Sequence, residues 1–244
     1  MAESDSENVH PPKRPRLEPN LVEDECEEKQ PVTRSKYWFE TGDVILHVQN
    51  TQLRVHREIL ALHSTIFKDM FNMPNSKENV LDGPPVVDLD DEADDIEYML
   101  SIFYDSVKKH DWSKPMRLVH VSALLRLGKK YEIDFFVEQA LKCLRVDHPT
   151  SLVDWESIAF PDRYKKIESN GDDENDDMED IIALANEHSV PSILPVAYLR
   201  LVLQYPLEIF ISEETMPRLS RVDRDNCIVG RDKLSKELRE KRTQ

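Results

Sequence analysis

Residues 42–71, GDVILHVQNTQLRVHREILALHSTIFKDMF, constrain the fold of this 244-residue chain more than any other segment. Val44, Leu46 and Val48 alternate with half-polar neighbours, the period of a strand with one buried face. Residues 49–52 are polar and turn-forming, and Leu53 and Val55 resume the alternation, so a hairpin is expected. From Arg57 the period becomes helical, with Ile59, Leu60 and His63 on neighbouring positions. Ser64 is placed to cap a second helix whose apolar face is Ile66, Phe67, Met70 and Phe71. A hairpin followed at once by two short helices leaves little room for chemistry.

These residues resemble the BTB (POZ) domain, a protein–protein interaction module. The family pattern is an Asp-Val opening, an alternating strand, then apolar-x-apolar-His-Arg/Lys, Leu-Ala, Ser, Phe and Met-Phe at set spacings. Here it reads Asp43-Val44, Leu53-Arg54-Val55-His56-Arg57, Leu60-Ala61, Ser64, Phe67 and Met70-Phe71. A looser match continues through Leu124-Leu125, Leu127, Tyr131 and Ile133 to about Leu144. The family usually has Ala-x-x-Tyr where this chain has Gly128-Lys129-Lys130-Tyr131, which keeps a small residue. The resemblance implies an α+β fold, a small mixed sheet with a flanking helical cluster, and His56, Ser64, Phe67, Met70 and Phe71 as its structural motif. It also implies that Asp43 and Arg57 lie together in a charged pocket at the interface of a homodimer. The plainer alternative is that Asp43 ends a turn and Arg57 starts a helix, both in solvent.

Around this core the chain divides by composition. Residues 1–36 lack aromatics and are dense in Pro, Glu and Lys, which predicts a disordered acidic tail. Within it Lys13, Arg14 and Arg16 form a compact basic cluster beside prolines. Such a cluster fits a nuclear-import signal, and equally a solvated patch in a tail. Order is expected from the first aromatics, Tyr37-Trp38-Phe39, giving a BTB domain over residues 37–146. Residues 86–89 suit a short strand. Ile96, Met99, Leu100, Phe103 and Tyr104 mark a helix that opens on crowded acids, as the helix dipole favours. Another helix carries Leu118, Val121, Leu124 and Leu125, and Asp134 is placed to cap the one after it.

A helical extension is expected over residues 147–210, interrupted by the acidic loop 168–180. Seven of the ten residues from 171 to 180 are acidic. They lack the Gly and Glu spacing of an EF-hand, so a solvated loop is expected rather than a calcium site. Ser192 is placed to cap a later helix with Leu194, Ala197, Tyr198 and Leu201 on its face. Residues 211–244 form a charged C-terminal segment, read as a partly exposed helix or a frayed end.

Composition narrows the function. The formal net charge of −16 opposes broad nucleic-acid binding, which needs a basic face. The apolar run near residues 196–211 is broken by Arg200, Gln204 and Glu208, so no membrane span is expected. Three cysteines, far apart, have neither metal-ligand nor redox spacing, and the polar N-terminus does not read as a secretion signal. The sequence has no phosphate-binding glycine loop, nucleophile elbow or HExxH motif. His56 and His63 are seven apart, wrong for a metal pair on one helix, and His188 sits on an apolar face. Catalytic, cofactor and metal sites are therefore all expected to be absent.

The expected function is a non-enzymatic scaffold that self-associates as a homodimer and binds other proteins, in nuclear or transcriptional regulation. Chromatin regulators are the partners that reading favours, and the location is the nucleus, the cytoplasm or both. The alternative is a substrate adaptor of a cullin-type ubiquitin ligase. Adaptors of that kind carry an apolar-x-Glu motif where this chain has Met73-Pro74-Asn75. The stretch from Phe71 to Pro74 and the Pro-marked loop to Pro85 resemble BTB-domain-only proteins of mushroom-forming fungi.

Overall fold

A computed structural model describes residues 31–73, 83–158, 166–168, 177–212 and 214–242. The chain begins with β1 (Thr33–Trp38), β2 (Val44–Val48) and β3 (Thr51–Val55), then α1 (Arg57–His63), α2 (Thr65–Asn72) and β4 (Val86–Leu89). These strands form one sheet in the order β1-β3-β2-β4. The β2–β3 hairpin is antiparallel, pairing Val44 with Val55, Leu46 with Leu53 and Val48 with Thr51. β4 runs parallel to β2, with Leu46 opposite Val87. Val44, Leu46, Val48, Leu53 and Val55 are all fully buried, so one face of the hairpin is core from end to end.

Strand β1 corrects the expected start of order at Tyr37. Thr33 to Lys36 belong to a strand parallel to β3, with Thr33 opposite Thr51 and Arg34 opposite Gln52. Only Tyr37 of this strand is buried. The strand is held by its backbone and by polar side chains: Ser35 donates to Glu97, Lys36 pairs with the same carboxylate at 3.4 Å, and Arg34 lies over the Trp38 ring. An edge strand with one core residue has no hydrophobic period to read.

The helical cluster follows: α3 (Ala93–Lys109), the two-residue strand β5 (Met116–Arg117), α4 (Leu118–Lys130) and α5 (Asp134–Asp147). Helix α5 starts without a side-chain cap. Ile133 occupies the cap position and Asp134 is the first helical residue. Helices α4 and α5 approach closely at Gly128. A Cβ there would lie 2.8 Å from Val137 Cγ2 and 3.1 Å from both Phe136 Cβ and the Val137 backbone nitrogen. The glycine is thus fitted to its neighbours, and alanine, usual in the family resembled, does not fit. Gly128→Ala is expected to cost about 1–2 kcal/mol in a urea melt, overpacking outweighing alanine's better helix propensity. In a Val137→Ala background the same change should be close to neutral. Equal cost in both backgrounds would show that the contact with Val137 is not responsible.

The extension comprises α6 (Leu152–Ile158), β6 (Ile167–Glu168), α7 (Asp177–Glu187), a 3-10 turn (Pro191–Ile193), α8 (Leu194–Gln204), α9 (Leu207–Ile211) and α10 (Arg221–Arg242). Ser192 lies in the 3-10 turn, and Ile193 takes the cap position of α8. Of the expected acidic loop, residues 169–176 lie outside the described residues. Asp177 to Asp180 form the first turn of α7, with Asp177 and Met178 buried. Acids at a helix start satisfy the dipole, so charge density here marks a helix end.

The extension also runs past residue 210. Phe210, Met216, Leu219 and Cys227 are all buried in the common core. Asp223 fixes the start of α10: its carboxylate accepts from Asn186, Tyr198 and Ser220. Burial pushes the Asp223 carboxyl up, but the bonds from Ser220, Tyr198 and Asn186 outweigh this and hold it below the ordinary range. Arg231 donates to the carbonyls of Val202 and Tyr205, satisfying the end of α8. Sparse anchors among charged residues gave this segment the look of a tail.

Candidate interaction surface

The expected motif residues converge where the β2–β3 hairpin meets α1. Gly42 is buried, and a Cβ on it would lie 2.9 Å from the Val55 carbonyl oxygen. Its own carbonyl accepts from Arg54 Nε at 2.8 Å, and the Asp43 N–H donates to Val55 at 3.0 Å. Asp43 is therefore held at the mouth of β2, facing the start of α1. Its Oδ1 accepts from the Arg57 backbone N–H at 2.8 Å. That bond satisfies one orphan donor of α1, whose own cap residue, His56, makes no side-chain cap bond. Arg57 Nε stands 4.0 Å from Asp43 Oδ2, with side chains 36% and 54% exposed for Arg57 and Asp43. In the single chain the two charges are together but half solvated. Arg57 Nε itself is buried without a hydrogen-bond partner among the described residues.

His56 sits at the strand–helix junction with both ring nitrogens engaged. Nε2 is 3.0 Å from Thr41 Oγ1 and Nδ1 is 3.1 Å from Tyr104 Oη. Tyr104 Oη also accepts from the His56 backbone N–H at 3.0 Å. These bonds balance with Tyr104 donating to Nδ1 and the proton carried on Nε2. Burial raises the Tyr104 pKa, and nearby Asp43 adds to the rise. Phe39 stacks on Tyr104 at 4.6 Å and lies against His56. Sequence marked Phe39 only as the start of order and Tyr104 only as part of a helix face, and did not mark Thr41, because their meeting at His56 joins the β1–β2 turn to α3.

Ser64 links the two halves of the domain. Its Oγ accepts from the Phe67 N–H at 3.1 Å, capping α2, and donates to the Tyr131 carbonyl at 2.6 Å. Phe67 stacks on Tyr131 at 4.3 Å and on Phe71 at 5.9 Å. Tyr131 Oη donates to Asp91, and burial, then that carboxylate, raises its pKa well above the ordinary value. Met70 and Phe71 are half-buried against the core. This cluster ties the α1–α2 junction to the C-terminal end of α4. Outward from it, Leu62 on α1 is 78% exposed and Met73 after α2 is 65% exposed. Exposed large apolar side chains are a feature of interaction surfaces.

The BTB/POZ domain family model matches residues 34–147. Residues 34–147 form a BTB/POZ domain. The match begins inside β1 and ends at the last residue of α5, so the hairpin, the α1–α2 pair, β4 and the helices to α5 are the domain. BTB domains are protein–protein interaction modules, generally non-enzymatic, that mediate homo-oligomerisation and partner binding. No curated relative matches the chain. Among the described residues no cluster of three or more His, Cys, Asp or Glu is placed to hold a metal ion. Lys13, Arg14 and Arg16, and Pro74 and Asn75 of the comparison with cullin adaptors, lie outside the described residues.

Proposed function

We propose that the BTB domain of this chain forms a homodimer through the face that carries α1 and Asp43, and scaffolds other proteins in nuclear or transcriptional regulation. The supporting observation is the Asp43–Arg57 arrangement. Asp43 is fixed by two hydrogen bonds to backbone groups, Arg57 Nε is buried 4.0 Å away with no hydrogen-bond partner among the described residues, and the same helix α1 carries the exposed Leu62. A second copy covering this face would desolvate both charges together, where each neutralises the other. Lys13, Arg14 and Arg16 fit nuclear import, with nucleus, cytoplasm or both as the location. Among the described residues no helix is long and apolar enough to cross a membrane.

A second reading, adaptor of a cullin-type ligase, draws on exposed Met73 at the end of α2. Asn75 stands where adaptors of that group carry Glu. Co-purification from the native cell separates the two, cullin peptides supporting the adaptor and chromatin components the regulator.

The charged pair is tested by a double-mutant cycle. Asp43→Asn or Arg57→Gln should change the stability of an isolated chain by less than about 1 kcal/mol, because both groups are half exposed. Each should weaken dimerisation about tenfold or more, by stranding its partner's charge in the interface. The double variant should recover much of that loss. Small additive effects on dimerisation would reject the interfacial pocket.

A further inference from the structure

The BTB domain and the extension meet at a small basic cleft whose lining includes no residue of α1. Its volume is about 210 Å³, and its polar wall is Lys129 from α4, Arg145 from α5, and His188, Ser189 and Ser192 from the turn between α7 and α8. Leu141 is part of the apolar floor. No carboxylate lines it, in a chain whose net charge is −16. Two cationic side chains, an imidazole and two hydroxyls thus converge on one concavity from the BTB domain and the extension.

Lys129 is held in place and Arg145 is free to reach into the cleft. Lys129 Nζ donates to the His188 carbonyl, which ties α4 to the turn and leaves two of its ammonium protons for another acceptor. Arg145 is exposed and makes no ion pair with the described residues. His188 is only 8% exposed, and its Nε2 has no hydrogen-bond partner among the described residues. The nearest carboxylate, Glu187, is 3.9 Å from that nitrogen and points largely to solvent. Ser189 adopts a positive φ of 54°, a backbone state that glycine takes at lower cost. Serine in its place supplies a hydroxyl to the wall.

We propose that this cleft is a binding site for a single phosphate group. A guanidinium, an ammonium, an imidazole and two hydroxyls offer more donors than a carboxylate accepts, and suit the three terminal oxygens of a phosphate. The cleft takes one such group, not a polyanion, and the acidic surroundings repel extended nucleic acid. Because its walls come from the BTB domain and the extension, ligand binding would clamp the two together. The source is either a free small phosphate or a phosphorylated side chain of a partner.

The test uses the full chain, nuclear magnetic resonance and two probes, inorganic phosphate and a doubly capped phosphoserine, with sodium chloride at matched ionic strength as the control. Saturable shifts of the Ser189, Val190 and Ser192 amides are expected, with Arg145→Glu weakening binding about tenfold or more. Arg145 is exposed, so this variant should keep the wild-type melting temperature. Ser192→Ala, a smaller change, should weaken binding by a smaller factor. Shifts with both probes support the site with a phosphorylated side chain as its ligand. Shifts with inorganic phosphate alone support it with a free anion. No saturable shift up to ~10 mM of either probe, or the same affinity in Arg145→Glu, would overturn the proposal.

Discussion

Replacing Asp147 by alanine is expected to destabilise the protein by about 3 kcal/mol, by leaving buried backbone donors unsatisfied. Asp147 is the last residue of α5 and is 4% exposed. Its carboxylate accepts from the Lys166 N–H, at 2.8 and 3.0 Å to its two oxygens, and from the Ile167 N–H at 2.8 Å. Those donors belong to the start of β6, which pairs with β5 of the BTB domain through Met116–Ile167 and Arg117–Glu168. One side chain therefore closes the joint between the domain and its extension. The Asp147 carbonyl adds a second tie by accepting from Arg200 at 2.9 Å. Asp147→Asn keeps one acceptor oxygen and should lose about half as much. Urea melts give the magnitudes, and faster hydrogen exchange at the Ile167 amide should accompany the loss. A cost under about 0.5 kcal/mol for alanine would mean the joint is held elsewhere.

The next residue should make stability fall steeply in mild acid. His148 is 1% exposed, its Nδ1 is 3.1 Å from the Leu144 carbonyl, and its Nε2 is buried without a hydrogen-bond partner among the described residues. That geometry suits a neutral ring with the proton on Nδ1. Burial pushes its pKa down to about 4, and Arg200 adds to the shift. Between the unfolded value of 6.5 and the folded value of about 4, the unfolded chain binds a proton that the folded chain refuses. Stability is therefore complete above pH 6.5 and declines as the pH falls through that window, by roughly 3 kcal/mol in all. His148→Gln removes the titration, so the difference between wild type and variant should shrink steadily from pH 6.5 to pH 5. A constant difference across that range would show that His148 takes up its proton as readily in the fold as in the unfolded chain.

Much of the BTB domain could be read from its residues because its core is periodic. Val44, Leu46, Val48, Leu53 and Val55 show the strand period of two, and all five are fully buried. Ile96, Met99 and Leu100 show the helical period and are buried too. Elements held by other means were not legible. β1 depends on backbone pairing and on Ser35, Lys36 and Arg34. The first half of α10 depends on Asp223 and Cys227 among charges. Asp147 and His148 showed no signal, since burial of an Asp-His pair in a polar stretch comes from tertiary contacts alone. At the candidate surface, sequence pointed to Asp43, Arg57 and His56, but not to Tyr104 and Thr41, which engage His56. The basic cleft brings Lys129, Arg145 and His188 together from positions up to 59 residues apart, a spacing no local pattern encodes.

Light scattering on the purified full chain tests self-association through the α1 face most directly. The wild type should show twice the chain mass of 28.5 kDa at about 10 µM. Leu62→Asp, which places a charge at an exposed apolar position without touching the core, should return the mass to that of a single chain. A wild-type monomer at ~100 µM, or a dimer that Leu62→Asp leaves intact, would contradict the account.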